Sequence, residues 1–174
     1  MKFRSITISG PVASGTTTTA KALALKLKLE YKAAGDVFRK YMLENNIPLP
    51  NKEEIPDEVE RAVDDDLKAL MKSRKSVVLE GLYLGYFARS MPHVLKVLLI
   101  CDEKVRIKRA LDRTHTHKET AEDVIRRDKA HDLKFRHLYA DEDFLNKKFF
   151  DLVIDTSNTG SSEVVEKILK KFRS

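Results

Sequence analysis

The stretch Gly10-Pro11-Val12-Ala13-Ser14-Gly15-Thr16-Thr17 has the glycine spacing of a loop that wraps phosphate oxygens. It follows an alternating apolar segment, Phe3 to Ser9, and runs into a helical pattern, which is the setting such a loop requires. Gly10 and Gly15 permit a sharp path. Backbone N–H groups from Ala13 to Thr17 can then point at phosphate oxygens, with the helix dipole adding partial positive charge. Thr17 holds the position whose hydroxyl ligates Mg²⁺ beside a bound nucleoside triphosphate. Thr16 stands where these loops usually carry a lysine. Most of the donors belong to the backbone and survive that exchange, but positive charge on a transferred phosphate must come from elsewhere.

Candidate cations are concentrated between Arg106 and Arg136. Arg109 and Arg113 are four residues apart and share a helix face. Cys101 is the single cysteine, which excludes an internal disulfide and a cysteine-based zinc site. It follows the apolar run Val97 to Ile100 and reads as a core residue. His115 and His117 alternate in a polar stretch without carboxylate support, so no zinc site is expected.

These side chains need elements to position them. Helical spacing is expected from about Thr17 to Leu29, from Asp36 (as a cap) to about Asn45, and from Asp57 to Ser73. Pro48, Pro50 and Pro56 break the chain between the last two. Strands are expected at Phe3 to Ser9, Glu30 to Lys32, Ser76 to Leu79, Val94 to Cys101 and Leu152 to Ile154. Asp102 caps a helix running to about Arg113, a long polar helix covers about Thr120 to Tyr139, and Ser161 or Ser162 caps a last helix to Phe172. This alternation predicts an α/β fold, a mainly parallel sheet of about five strands flanked by helices.

At 174 residues the chain fits one domain, read as 1–174. The apolar and charged fractions, 42% and 34%, are those of a soluble globular protein, and no apolar run is long enough to span a bilayer. The opening MKFRSITISG lacks the features of a secretory signal, so a cytoplasmic location is expected. A net charge of +6 is ordinary for a small domain and serves a polyanionic small molecule as well as a nucleic acid.

The sequence resembles the cytidylate kinases of the nucleoside monophosphate kinase group, particularly the short archaeal type. Ala13-Ser14-Gly15-Thr16-Thr17-Thr18 is similar to that type's Gly-Ser-Gly-Thr-Thr-Thr loop, in which the lysine is also commonly missing. Tyr31-Lys-Ala-Ala-Gly35-Asp36-Val37-Phe38-Arg39 resembles its Tyr-x-x-Ala-Gly-x-x-Phe-Arg segment, and Val77-Val-Leu-Glu80-Gly81 a strand ending in Glu-Gly-Arg. The lid run around Arg127 resembles Arg-Glu-x-x-Glu-x-x-Arg-Tyr. An ungapped match puts Lys134 at its second arginine, His131 at the internal acid and Phe135 at the tyrosine, with Arg136 as the alternative second cation.

The resemblance implies a P-loop kinase fold with an acceptor-binding segment at about 33–73 and a lid at about 113–139. It implies ATP and Mg²⁺ on Gly10, Ala13, Ser14, Gly15, Thr16, Thr17 and Thr18, with Thr17 on the metal and Glu80 acting on it through water. Arg109 would approach the adenine and phosphates, and the loop around Asn158 to Gly160 would contact adenine. The acceptor would lie at Gly35 and Arg39, with Asp57 or one of Asp64, Asp65 and Asp66 near its base or sugar. Arg113, Arg127 and Lys134 would close over the transferred phosphate. Leu82 replaces the family arginine that recognises the acceptor, and Tyr83, Tyr86 and Arg89 are the residues that could rebuild that pocket.

The implied function is ATP-dependent phosphorylation of a nucleoside monophosphate, CMP or dCMP first, by a monomer. A P-loop kinase of another small acceptor, or a nucleotide-binding regulatory protein, remain open alternatives; RNA binding lacks a recognisable module.

Overall fold

Ser5–Ser9 (β1) is buried at every position, so both its faces, Ser5, Thr7 and Ser9 on one and Ile6 and Ile8 on the other, meet packed layers. Two of the three polar positions are accommodated by hydrogen bonds, Ser5 Oγ donating to Lys75 O at 3.2 Å and Ser9 Oγ to Gly81 O at 2.7 Å, while the Thr7 hydroxyl is buried without a partner among the described residues. The computed structural model describes residues 2–49, 51–112 and 119–174. In chain order the elements after β1 are α1 (Thr16–Leu27), β2 (Glu30–Ala33), α2 (Ala34–Glu44), α3 (Asp57–Lys72), β3 (Val77–Glu80) and α4 (Leu84–Phe87). They continue with β4 (Val94–Ile100), α5 (Glu103–Leu111), α6 (Ala121–Leu138), β5 (Leu152–Asp155) and α7 (Ser161–Arg173).

The five strands form one sheet in the order β2-β3-β1-β4-β5, with every pairing parallel. β1 therefore lies between β3 and β4, and the loop that follows it emerges at the C-terminal edge beside Glu80. In open parallel sheets this edge, where the chain order switches direction, is where ligands bind.

Two apolar layers cover the sheet. One joins Ile6, Ile8, Leu23, Val97 and Leu99 to Ile168 and Phe172 of α7. The other joins Val77 and Leu79 to Phe38, Leu67, Met71, Leu84, Phe87 and Phe135. A small third cluster of Val12, Ala13, Ala110 and Val124 anchors the loop after β1 to α5 and α6.

Local signals explain most boundaries, with three corrections. Asp102 caps α5 as expected, accepting from Lys104 N at 2.9 Å, and Thr120 and Asp123 form a reciprocal capping box on α6. Asp36 is not a cap: α2 begins at Ala34, and Asp36 lies in its first turn. Gly160, rather than a serine, caps α7. The one-turn helix α4 was not expected, being too short to carry a periodic signal. Cys101 is half-buried rather than a core residue, 3.4 Å from the Arg109 guanidinium.

Candidate active site

The loop after β1 closes tightly. A Cβ on Gly10 would collide with Ser14 Oγ and come within 2.5 Å of Leu99 O, so only glycine fits. Ala13 and Gly15 take left-handed conformations, φ 63° and 96°, which turn the chain into α1. Ser14 N–H, expected to face phosphate, is taken by Pro11 O at 3.1 Å, and within α1 Thr19 N–H is the first to reach back to a loop carbonyl, Gly15 O at 3.1 Å. The earlier N–H groups of α1 are left for an anion. The Ser14 hydroxyl is buried without a protein partner, a further polar atom facing into the loop.

Glu80, at the end of β3, gathers three hydroxyls. Its Oε1 accepts from Thr16 Oγ1 at 2.8 Å and Thr17 Oγ1 at 2.6 Å, and its Oε2 accepts from Tyr31 at 2.6 Å. Burial and the Glu80 carboxylate together push the Tyr31 phenol well above its ordinary pKa, so it stays a donor. A hydroxyl and a carboxylate meeting at the phosphate loop are hard oxygen ligands suited to Mg²⁺, which keeps several waters and shares itself with substrate phosphates. Among the described residues no group of three or more His, Cys, Asp or Glu is placed to hold a metal ion.

Two arginines of α5 brace the loop. Arg106 is buried, and its Nη1 donates to Val12 O at 2.9 Å and to Asp128 Oδ2 at 2.7 Å, while Asp128 Oδ1 accepts from Val12 N at 3.0 Å. Arg109 donates to Thr156 O at 2.6 Å, and Thr156 Oγ1 donates to Ser14 O at 2.9 Å. Arg109 thus reaches the phosphate loop through the segment after β5.

A cavity of about 160 Å³ runs from Gly10, Ala13, Thr16, Thr17 and Glu80 to the acceptor segment, where Gly35 and Arg39 line it. From α6 it takes Arg127 and His131; Leu82 contributes an apolar wall. Arg39 pairs with Asp36 at 2.5 Å, and Arg127 with the buried Glu119.

Several expected site residues do not reach this cavity. Lys134 donates to Asp57 Oδ1 at 2.7 Å and Ile55 O at 2.8 Å, so its charge is spent on the acceptor segment. Asp57 is further held by His137 Nε2 at 2.7 Å, and these partners keep its carboxyl below the usual range. Arg89 lies over the Tyr86 ring, 3.9 Å from its centroid, and donates to Tyr86 O. Arg136 is occupied by Asp132 and Asp141. Thr18 is exposed on the outer side of α1. Arg113, together with His115 and His117, lies outside the described residues.

Three further polar residues line it: Asp64, the one member of the acidic run Asp64-Asp65-Asp66 to do so, His131, which the lid match put at the internal acid, and Lys52, which the sequence reading did not single out. Lys52 is buried, pairs with Glu60 at 2.9 Å and sits 3.9 Å from the Phe38 ring centroid. Asp64 accepts from the Tyr139 hydroxyl at 2.6 Å, and burial pushes its carboxyl up to about 6. Burial also holds the His131 imidazole well below its ordinary pKa, so it is neutral. A helical-face reading finds two of them. Asp64 falls on the buried stripe Glu60, Val63, Leu67, Met71, and His131 on Val124, Phe135, Leu138.

A parallel sheet whose central strand feeds a glycine loop, with a carboxylate at the neighbouring strand end, defines a P-loop kinase fold. Residues 6–134 match the model of a family described as "AAA domain". A cytidylate kinase of Archaeoglobus fulgidus is 35% identical over 170 residues, covering 95% of this chain and 92% of that protein. A cytidylate kinase of Sulfolobus acidocaldarius is 32% identical over 168 residues, covering 94% and 91%. The shikimate kinase of Acinetobacter baumannii, solved with shikimate, superposes with a TM-score of 0.63 at 20% identity, covering 98% of this chain and 93% of that one. The chain belongs to the cytidylate kinase family.

Proposed function

We propose that this protein transfers the terminal phosphoryl group of ATP to a nucleoside monophosphate, CMP or dCMP, giving the diphosphate and ADP. The observation that carries the reading is the single cavity joining the phosphate loop to Arg39 and Arg127. Phosphoryl transfer needs positioning and neutralisation of charge more than a protein nucleophile, and the cavity supplies those.

In this reading the loop N–H groups hold the ATP phosphates, and Arg109 fixes the Thr156 segment against which the nucleotide lies. Thr17 and Glu80 would hold Mg²⁺ and its waters; the ion neutralises phosphate charge when bound. Arg39, freed from Asp36, grips the acceptor monophosphate with its planar fork. Arg127 brings the cation that Thr16 does not provide. Arg113 is a proposed companion cation. Lys134 serves differently, by tying α6 to the acceptor segment so that both move together.

The division into an acceptor segment at about 33–73 and a lid at about 113–139 within one domain belongs to this proposal, as do monomeric state and cytoplasmic location. No described helix is long and apolar enough to cross a membrane.

The test is ADP formation from ATP and Mg²⁺ with each of CMP, dCMP, UMP, AMP and GMP, above a no-acceptor background. Stimulation by CMP or dCMP is expected. The apolar Leu82 in the cavity wall favours one second reading, a kinase of another small acceptor. That reading predicts no stimulation by any nucleotide and stimulation by a different phosphorylatable molecule.

A further inference from the structure

We infer that Asp128 is a positioning residue that sets the register of α6 on the phosphate loop, so that Arg127 enters the cavity at a fixed place relative to the loop's N–H groups. The inference rests on the phosphoryl-transfer reading above and assigns the placing of its lid cation to a side chain outside the cavity. Neither Asp128 nor its partner Arg106 lines that cavity.

Val12 stands at the turn of the loop, next to the left-handed Ala13. Both of its backbone groups are taken by side chains from outside the loop. Its N–H donates to Asp128 Oδ1 at 3.0 Å, and its carbonyl accepts from Arg106 Nη1 at 2.9 Å. The same Nη1 donates to Asp128 Oδ2 at 2.7 Å, so one loop residue is closed in a ring between α5 and α6. The Val12 side chain completes the hold, packed in one cluster with Ala110 of α5 and Val124 of α6.

An isolated ion pair on a helix surface adds little to stability. This one differs in its burial and in what it holds. The Arg106 side chain is 8% exposed and that of Asp128 28%, and among the described residues Asp128 is the one acid paired with Arg106. Asp128 also directly follows Arg127. Consecutive side chains on a helix point about 100° apart, so the rotation that turns Asp128 to the loop leaves Arg127 facing elsewhere, and it lines the cavity. Farther along α6, Lys134 and His137 hold the acceptor segment through Asp57. The helix is thereby fastened to the phosphate loop at Asp128 and to the acceptor side at Lys134. A displacement of about 1 Å can cost about a hundredfold in rate, and a loop with Thr16 in place of lysine depends on where Arg127 sits.

The test measures kcat and both KM values in Asp128→Asn, Arg127→Ala and the double variant. Asp128→Asn keeps an acceptor for the Val12 N–H and gives up the charge opposite Arg106. Its kcat is expected to fall about tenfold to hundredfold, while the KM values for ATP and CMP stay within about twofold. In the double variant the two losses should combine to less than their product, because both act on one cation. A lower melting temperature with kcat intact, or equal rises in both KM values, would show an ordinary structural ion pair and overturn the inference. Losses that multiply in full in the double variant would overturn it too.

Should Asp128→Asn not fold, Arg106→Lys takes its place. It keeps a positive charge opposite Asp128 and gives up the rigid fork that reaches both Asp128 and Val12 O. The same fall in kcat at steady KM values is expected, and an unchanged kcat would overturn the inference. An unmodified protein that phosphorylates no acceptor would instead remove the phosphoryl-transfer reading beneath it. The hold on the loop is then read from hydrogen exchange: the Val12 amide should exchange about tenfold faster in Asp128→Ala, and equal exchange would overturn the hold as well.

Discussion

The Thr17 hydroxyl, in the first turn of α1, donates to the Glu80 carboxylate at 2.6 Å and so joins the phosphate loop to the end of the neighbouring strand. Thr16 donates to the same oxygen, so both hydroxyls are aimed at one point. Glu80→Gln should leave the fold intact and lower turnover roughly tenfold to hundredfold, the usual effect of disturbing a group that orders metal-bound water. The Mg²⁺ concentration for half-maximal rate should rise as well. Steady-state kinetics across a Mg²⁺ titration checks this; an unchanged Mg²⁺ dependence would separate Glu80 from the metal.

Tyr31 holds the other oxygen of Glu80, and its role is orientation. Tyr31→Phe removes one hydrogen bond and keeps the ring. Turnover should fall by about tenfold or less, with the same Mg²⁺ signature as Glu80→Gln in weaker form. In the double variant the two losses should be less than additive, because both act on one carboxylate.

Lys134 and Asp57 tie α6 to the start of α3, with His137 as a second partner of the carboxylate. The carboxyl of Asp57 is held below its ordinary value, chiefly by the Lys134 hydrogen bond. Its stabilising effect is therefore present above the unfolded carboxylate pKa and lost as pH falls through the lower folded value. Asp57→Asn should reduce the melting temperature by a few degrees at pH 7, and the gap should close towards pH 3. A gap that stays constant with pH would remove the ion pair from the account.

Arg109 acts on the nucleotide side through Thr156 and the Ser14 carbonyl. Arg109→Ala should raise the KM for ATP several-fold and leave the KM for the acceptor nearly unchanged. Parallel titrations of the two substrates test it, with equal effects on both pointing to general loosening of the fold.

The phosphate loop and the strands were legible in the sequence because their signals are local: two glycines at fixed spacing, β-branched runs, capping residues. The acceptor pocket was less so. Asp57, Asp64, Asp65 and Asp66 look alike in a list, yet only Asp64 shares the inward stripe of α3 with Val63 and Leu67. Lys52 sits in a proline-broken stretch that carries no periodicity, and its burial comes from Glu60 and Phe38, which only the folded chain brings together. Lys134 misled for the opposite reason. Its spacing from Arg127 suits a pair of lid cations, but a closer carboxylate at Asp57 takes its charge.

The most direct test of the central claim follows the label of terminally labelled ATP in the presence of CMP, Mg²⁺ and the unmodified protein. The account predicts label in CDP, at a rate well above its release as inorganic phosphate. Label that stays in ATP, or appears only as inorganic phosphate whether or not CMP is present, would contradict it.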